Sequence, residues 1–89
     1  SHYTRIVEGY EAGLRAAQAS GDVDAGLDPE VTAWALMGAG ELIGMRFLLW
    51  ERDDEGQPPA AIPDAVIDGM MRFIRNALAA RGERGQDHD

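Results

Sequence analysis

The chain has 89 residues, of which 45% are apolar and 27% are charged, a balance typical of one small globular domain and too short for a two-domain enzyme. Its 16 acidic and 8 basic residues give a formal charge of −8, which repels nucleic-acid phosphates and anionic lipid headgroups. Because the chain contains no cysteine, neither a disulfide nor a thiolate-bound metal can stabilise its small core, and association with another chain or domain is the remaining route.

The first segment predicts an amphipathic helix. Apolar residues from Tyr3 to Ala17 recur at the spacing of one helical stripe, and Glu11 precedes Arg15 by four residues, the favourable order for a helical ion pair. Ser20-Gly21 predicts the helix end, since glycine adopts the left-handed conformation of a C-terminal cap. The chain starts with serine and opens with no signal segment, so we expect a fragment of a longer cytoplasmic protein.

A second helix is predicted from Pro29 to about Glu51, with Asp28 as its N-terminal cap. It is apolar nearly all round, so it must be covered on more than one side. Its length raises a membrane span as an alternative, but Glu41 and Arg46 disfavour that alternative, and each charge is expected to reach solvent or a partner charge.

This helix has two distinct apolar faces. One is rich in small residues and predicts a close helix approach, either within the chain or across a dimer; it consists of Ala33, Leu36, Gly40, Gly44 and Phe47. The opposite face carries Val31, Trp34, Ala35, Gly38, Leu42, Met45 and Leu49. Two short neighbouring helices cannot cover both faces, so self-association is expected.

The segment from Asp53 to Pro59 predicts an exposed acidic turn, and a metal site there is disfavoured because such charge runs are usually solvated. A third helix is predicted from Pro63 to Arg81-Gly82, with an apolar arc of roughly 160° that includes Met70, Phe73 and Ile74. Residues 83–89 are expected to form a disordered tail.

Catalysis is not expected, because the two histidines, His2 and His88, lie at the chain ends and no nucleophile can be paired with a base. No cofactor is expected either. An apolar ligand cavity is conceivable between the first two helices, where four apolar side chains converge, although the same residues are explained by core packing; they are Tyr10, Leu14, Trp34 and Met37.

Several segments combine into a recognisable order: an amphipathic helix, the turn Gly21-Asp22-Val23-Asp24, the helix start Leu27-Asp28-Pro29-Glu30, the stretch Gly44-Met45-Arg46-Phe47-Leu48-Leu49-Trp50, and a last helix through Met71-Arg72-Phe73-Ile74-Arg75-Asn76-Ala77-Leu78. Over nearly the whole chain, this order resembles the C-terminal regulatory domain of TetR-family transcriptional regulators. In that family an N-terminal helix-turn-helix domain binds DNA, whereas the C-terminal domain binds an inducer and dimerises, usually through its last two helices.

The resemblance implies an all-α fold, a three-helix fragment of a TetR-like C-terminal domain over residues 1–82. It implies a homodimer whose second and third helices form a four-helix bundle with those of a second copy. The expected interface is Ala33, Leu36, Gly40, Gly44, Phe47, Met70, Phe73 and Ile74. A small apolar effector is a possible further partner, and DNA would be contacted only through the missing N-terminal domain. The alternative is a stand-alone helical module that homodimerises without a ligand.

Overall fold

The computed structural model describes residues 2–57 and 61–80. It contains three α-helices: α1 (His2–Ser20), α2 (Pro29–Gly44) and α3 (Asp64–Leu78). A π-helical turn, Met45–Leu49, continues α2 and is closed by the Trp50 N–H, which donates to the Met45 carbonyl at 2.8 Å. No strand occurs among the described residues, which confirms the predicted all-α class.

Two helix ends differ from the prediction. The α-helical part of the second helix ends at Gly44, short of the expected Glu51, because the chain widens into the π-helical turn. The third helix ends at Leu78, before the expected Arg81-Gly82, because Ala79 adopts an extended conformation and pairs with another segment. The predicted tail at 83–89 lies outside the described residues.

Local signals set the boundaries of α1 and α2 as predicted. Gly21 has a φ of +87° directly after α1, a conformation that strains residues with a side chain. The Asp28 Oδ1 accepts the Val31 N–H at 3.0 Å and caps α2. On α1 the expected ion pair between Arg15 and Glu11 is present at 2.6 Å.

Removal of the α2 cap gives a first testable result. Asp28→Ala leaves an N–H of the first turn without its acceptor, and we expect a loss of about 1 kcal/mol in unfolding free energy. For a domain of this size that loss lowers the Tm by about 4–8 °C. Thermal unfolding followed by circular dichroism measures it. Asp54→Ala, in the exposed turn, is the matched control, and an equal shift in both variants would contradict the capping role.

The core lies between α1 and α2. Val7, Leu14 and Ala33 are its buried members, and the half-buried side chains packed against them are Val23, Leu36, Met37 and Leu78. Tyr3 and Tyr10, which the sequence placed on the buried stripe of α1, are instead exposed. Tyr10 lies between the buried Val7 and Leu14, so the buried stripe of α1 is narrower than the sequence predicted.

The last turn of α3 attaches it to the rest of the chain. The Asp24 N–H donates to the Leu78 carbonyl at 2.9 Å, and Val23 pairs with Ala79 in an isolated β-bridge. Gln18 holds the connecting loop by donating from Nε2 to the Asp24 carbonyl at 3.0 Å. α1 and α2 pack closely, whereas α3 stands off from both along most of its length and leaves open clefts.

The molecule is thin. Its principal extents are 53 × 37 × 15 Å, and the shortest is only slightly more than the 10–12 Å width of one helix with its side chains. The radius of gyration is 16.1 Å, against about 12 Å for a compact chain of this length. Because stable domains normally bury apolar faces between at least two layers, the chain has the form of a single layer that lacks its second.

No helix in the described part of the chain is both long enough and apolar enough to cross a membrane.

Candidate dimerisation surface

One face of α2 and its π-helical turn is apolar and uncovered; we call it the open face. Each of its members is exposed, namely Val31, Trp34, Ala35, Gly38, Leu42, Met45 and Leu49. Val31 is 64% exposed, Leu42 59% and Leu49 56%. These side chains place a continuous apolar stripe in water, which a soluble monomer rarely tolerates over such a length. The prediction that two neighbours cannot cover both faces of this helix is confirmed within the described chain.

The small-residue face of α2 turns toward the chain's own interior. Ala33 is completely buried in the core, and Leu36, Gly44 and Phe47 are half-buried. A Cβ atom added at Gly40 or Gly44 would meet no atom within 4 Å, so no helix of the same chain approaches these glycines closely. Packing of this face within the chain is therefore present at Ala33 and Leu36 and absent at Gly40 and Gly44. Close approach at the two glycines by a second copy stays a prediction.

A cleft of about 380 Å³ lies between α2 and α3 and adjoins the open face; we call it the α2–α3 cleft. Its walls are apolar and consist of Ala39, Leu42, Ile43, Gly69, Met70 and Phe73. Phe73 is 66% exposed, the largest exposed fraction among the large apolar side chains of the described residues. Leu42 belongs to both surfaces, so the cleft and the open face form one continuous apolar area.

A second, smaller cleft of about 210 Å³ lies where the three helices meet. It is lined by Tyr10, Leu36, Gly40, Met70 and Ile74. The two clefts thus bring together five of the eight residues predicted for the dimer interface, whereas Ala33, Gly44 and Phe47 line neither cleft. The five are Leu36, Gly40, Met70, Phe73 and Ile74.

The four residues predicted for a ligand cavity occupy different environments. Tyr10 lines the smaller cleft, Leu14 is buried in the core, and Met37 packs against that core. Trp34 lies on the open face and is 46% exposed. The structure does not bring the four side chains together around one of the two clefts, and their role in binding stays a prediction.

Sequence reasoning missed three residues of the α2–α3 cleft, Ala39, Ile43 and Gly69. The wide apolar arc of α3 was the available signal, because an arc of roughly 160° exceeds what one neighbouring helix covers. The arc did not indicate which residues of α2 would lie opposite.

The two charges within the second helix have the solvent-exposed positions expected of them. The Tyr3 hydroxyl donates a hydrogen bond to Glu41 Oε2 at 2.5 Å. Arg46 is paired with Glu51, and its guanidinium lies 4.6 Å from the centre of the Phe47 ring. Neither charge lies in the apolar stripe of the open face, so that stripe is uncharged along its length.

The hydrogen bond to Glu41, together with repulsion between its carboxylate and the phenolate, raises the pKa of Tyr3 above its ordinary value of about 10. A raised pKa in the folded state means that this contact stabilises the fold below pH 10, and the contribution is lost as the pH rises through the folded pKa. We expect Glu41→Gln to lower that pKa. Phenolate absorbance, titrated against pH in a Tyr10→Phe background, measures the pKa of Tyr3. An unchanged titration midpoint in Glu41→Gln would contradict the contact. Glu30→Gln is the control.

The acidic turn is organised by its own backbone. Asp53 Oδ1 accepts the N–H groups of Glu55 at 2.8 Å and Gln57 at 2.9 Å, while Gly56 takes a φ of +80°. Residues 53–57, the described part of this turn, are exposed, as predicted. Across residues 2–57 and 61–80, no three His, Cys, Asp or Glu side chains are grouped to hold a metal ion.

Comparison with known proteins gave no match, whether against protein-family models, curated proteins or solved structures. The assignment of a function therefore depends on the geometry above and on the sequence pattern.

Proposed function

We propose that this chain is the regulatory and dimerisation domain of a TetR-like transcriptional repressor and contains no DNA-reading helices of its own. The observation that carries the proposal is the open face of α2, an uncharged apolar surface that the described residues leave uncovered. The order of helices and turns in the sequence supports the TetR-like part. The negative charge supports a division of labour in which DNA contact belongs to another domain.

Dimerisation follows from the energetics of a single-layer chain. Among the described residues, only Val7, Leu14 and Ala33 are buried apolar residues, so their packing removes little apolar surface from water. Large apolar side chains such as Val31, Leu42 and Phe73 are more than half exposed, and a second copy would remove them from water.

Sedimentation equilibrium tests the dimer directly. At micromolar concentration we expect about twice the mass of the chain, since a second copy would remove the uncovered apolar side chains of the open face from water. A monomer across that concentration range would contradict the proposed function.

The regulatory role is tested by fusing the chain to a helix-turn-helix domain that binds its operator only as a dimer. We expect the fusion to repress a reporter, and the unfused chain to give no gel shift with promoter DNA at about 100 mM salt, because its surface is acidic. Failure of the fusion to repress, or a sequence-dependent shift by the unfused chain, would contradict this division of roles.

The second candidate, a homodimerising module without a ligand, is favoured by the scattered positions of Tyr10, Leu14, Trp34 and Met37. Tryptophan fluorescence separates the two. Trp50→Phe leaves Trp34 as the single tryptophan, and a TetR-like effector domain is expected to change its emission saturably when titrated with one member of a panel of apolar compounds. No change with any member favours the ligand-free module.

A further inference from the structure

We infer that α3 is a hinged helix, which pivots about its last turn and closes on α2 within one copy of the chain. The hinge is the attachment described above, where Leu78 and Ala79 are paired with the loop after α1. Closure brings the two walls of the α2–α3 cleft into contact. The inference concerns one copy alone and does not depend on the proposed dimer.

The attachment of α3 is confined to one end. Leu78, in the last turn, packs against the core, and its carbonyl accepts the Asp24 N–H at 2.9 Å. Along most of the rest of α3, the Cα atoms lie more than 8 Å from those of α1 and α2. In packed helices, whose axes are about 8–10 Å apart, facing Cα atoms come closer than that. α3 is therefore fixed at its C-terminal end and stands away from the other helices toward its N-terminal end.

The gap between α3 and α2 widens with distance from the hinge. Nearer the hinge, Ile74 and Leu36 line the smaller cleft, of about 210 Å³. Further toward the N-terminal end of α3, Gly69 and Ile43 line the α2–α3 cleft, of about 380 Å³. A helix that is fixed at one end and swung outward leaves a wedge of this form, and the reverse movement closes both clefts.

Closure is favoured because both walls are apolar. Water in an apolar cleft lacks the polar partners that hold ordered water, so bringing the walls together removes apolar surface from water at little cost. Phe73 lines the α2–α3 cleft and is 66% exposed, so it has the most surface to bury. The packing that already holds Leu78 continues along α3 in steps of four residues through Ile74 and Met70, which lie on the same side of the helix.

Small residues lie where the two helices meet on closure. Ala39 of α2 and Gly69 of α3 line the same cleft from opposite walls. A Cβ atom added at Gly69 would meet no atom within 4 Å, so no contact of the open arrangement requires a glycine there. A glycine inside a helix lowers helix stability, and close approach by the backbone of α2 accounts for one at this position.

The absence of cysteine from the sequence allows the closed arrangement to be trapped by a disulfide within one chain. The double variant Ala39→Cys/Gly69→Cys has one thiol on each wall of the α2–α3 cleft. A disulfide requires Cα atoms within about 7 Å, closer than α3 stands to α2 along most of its length. Ile43→Cys/Gly69→Cys is a second pair, in case the helices meet one turn further along. Ala39→Cys/Met71→Cys is the matched control, because Met71 is exposed on the other side of α3.

Under mild oxidation, we expect the internal disulfide to form at least about tenfold faster in one of the two cleft pairs than in the control, a ratio that corresponds to 1.4 kcal/mol. Mass spectrometry after alkylation measures the rate, which should not depend on protein concentration. Circular dichroism of the reduced variants checks that the helices persist.

Equal rates of internal linking in all three variants overturn the hinge. Linking between two chains instead of within one, at a rate that rises with protein concentration, assigns the cleft to a second copy; it overturns the inference and supports the proposed dimer. Sedimentation of the wild type decides the dimer separately. A wild-type monomer contradicts the proposed function, whereas a fast internal disulfide in the cleft pairs still supports closure.

Discussion

Leu42→Glu is expected to convert the dimer into monomers without loss of the fold. Leu42 is 59% exposed in the single chain, so the substitution disturbs little within one copy. Leu42 belongs to the open face and lines the α2–α3 cleft, so in the proposed dimer it is expected to be buried. A fully buried leucine contributes about 1.5–3 kcal/mol, and a symmetric interface contains two of them, so the dimer Kd should rise by about three orders of magnitude.

Sedimentation equilibrium measures the change in Kd, and circular dichroism at the same concentration checks that the helices persist. Met71→Glu is the matched control: Met71 is likewise exposed, at 40%, but it lies on the side of α3 away from the open face, beside Asp22 and Val23. An unchanged dimer in Leu42→Glu, or dissociation by both variants, would remove Leu42 from the interface.

The helices of this chain were predictable because their ends are set by local chemistry. The Asp28 cap, the left-handed Gly21 and the pair of Glu11 with Arg15 each act within a few residues of their own position, and each is present as the sequence indicated. Such signals need no knowledge of the tertiary packing. The all-α class followed from the same signals, together with the absence of an alternating strand pattern.

The orientation of α2 was not predictable in the same way. Both of its faces are apolar, so hydrophobic periodicity does not distinguish the face that packs in the core from the face that is exposed. The sequence therefore could not indicate that Ala33 would be buried and Leu42 exposed. Tertiary packing decides that choice: α1 buries Ala33 beside Val7 and Leu14.

The π-helical turn and the position of α3 were also beyond local reasoning. In a π-helical turn each N–H donates to the carbonyl five residues back instead of four, and here the Trp50 N–H donates to the Met45 carbonyl. α3 is held through Leu78 and Ala79 by backbone contacts with the loop after α1, segments far apart in the sequence. Helix propensity and hydrophobic periodicity are local properties of the sequence, so they do not predict a pairing between distant segments.

The smallness of the core makes its few members decisive. A domain of this length has an unfolding free energy of the order of 5–13 kcal/mol, and part of that stability is expected to come from the second copy. With Val7, Leu14 and Ala33 as the buried apolar residues of the described chain, no other buried group compensates for the loss of one. Truncation of one of these three side chains is therefore expected to weaken both folding and the proposed dimerisation.

Leu14→Ala is accordingly expected to cause the largest loss of stability of any single truncation, about 2–5 kcal/mol. Leu14 is buried at 8% exposure, and the cavity left by its side chain lies between α1 and α2, where the half-buried Met37 can fill only part of it. Urea unfolding at one fixed protein concentration measures the change, since linkage to dimerisation makes stability depend on concentration. Leu48→Ala is the control, because Leu48 is 37% exposed and belongs to neither the core nor the open face. Its loss of stability should be clearly smaller. If Leu14→Ala unfolds at the same urea concentration as the wild type, the contact between α1 and α2 does not carry the stability of the fold.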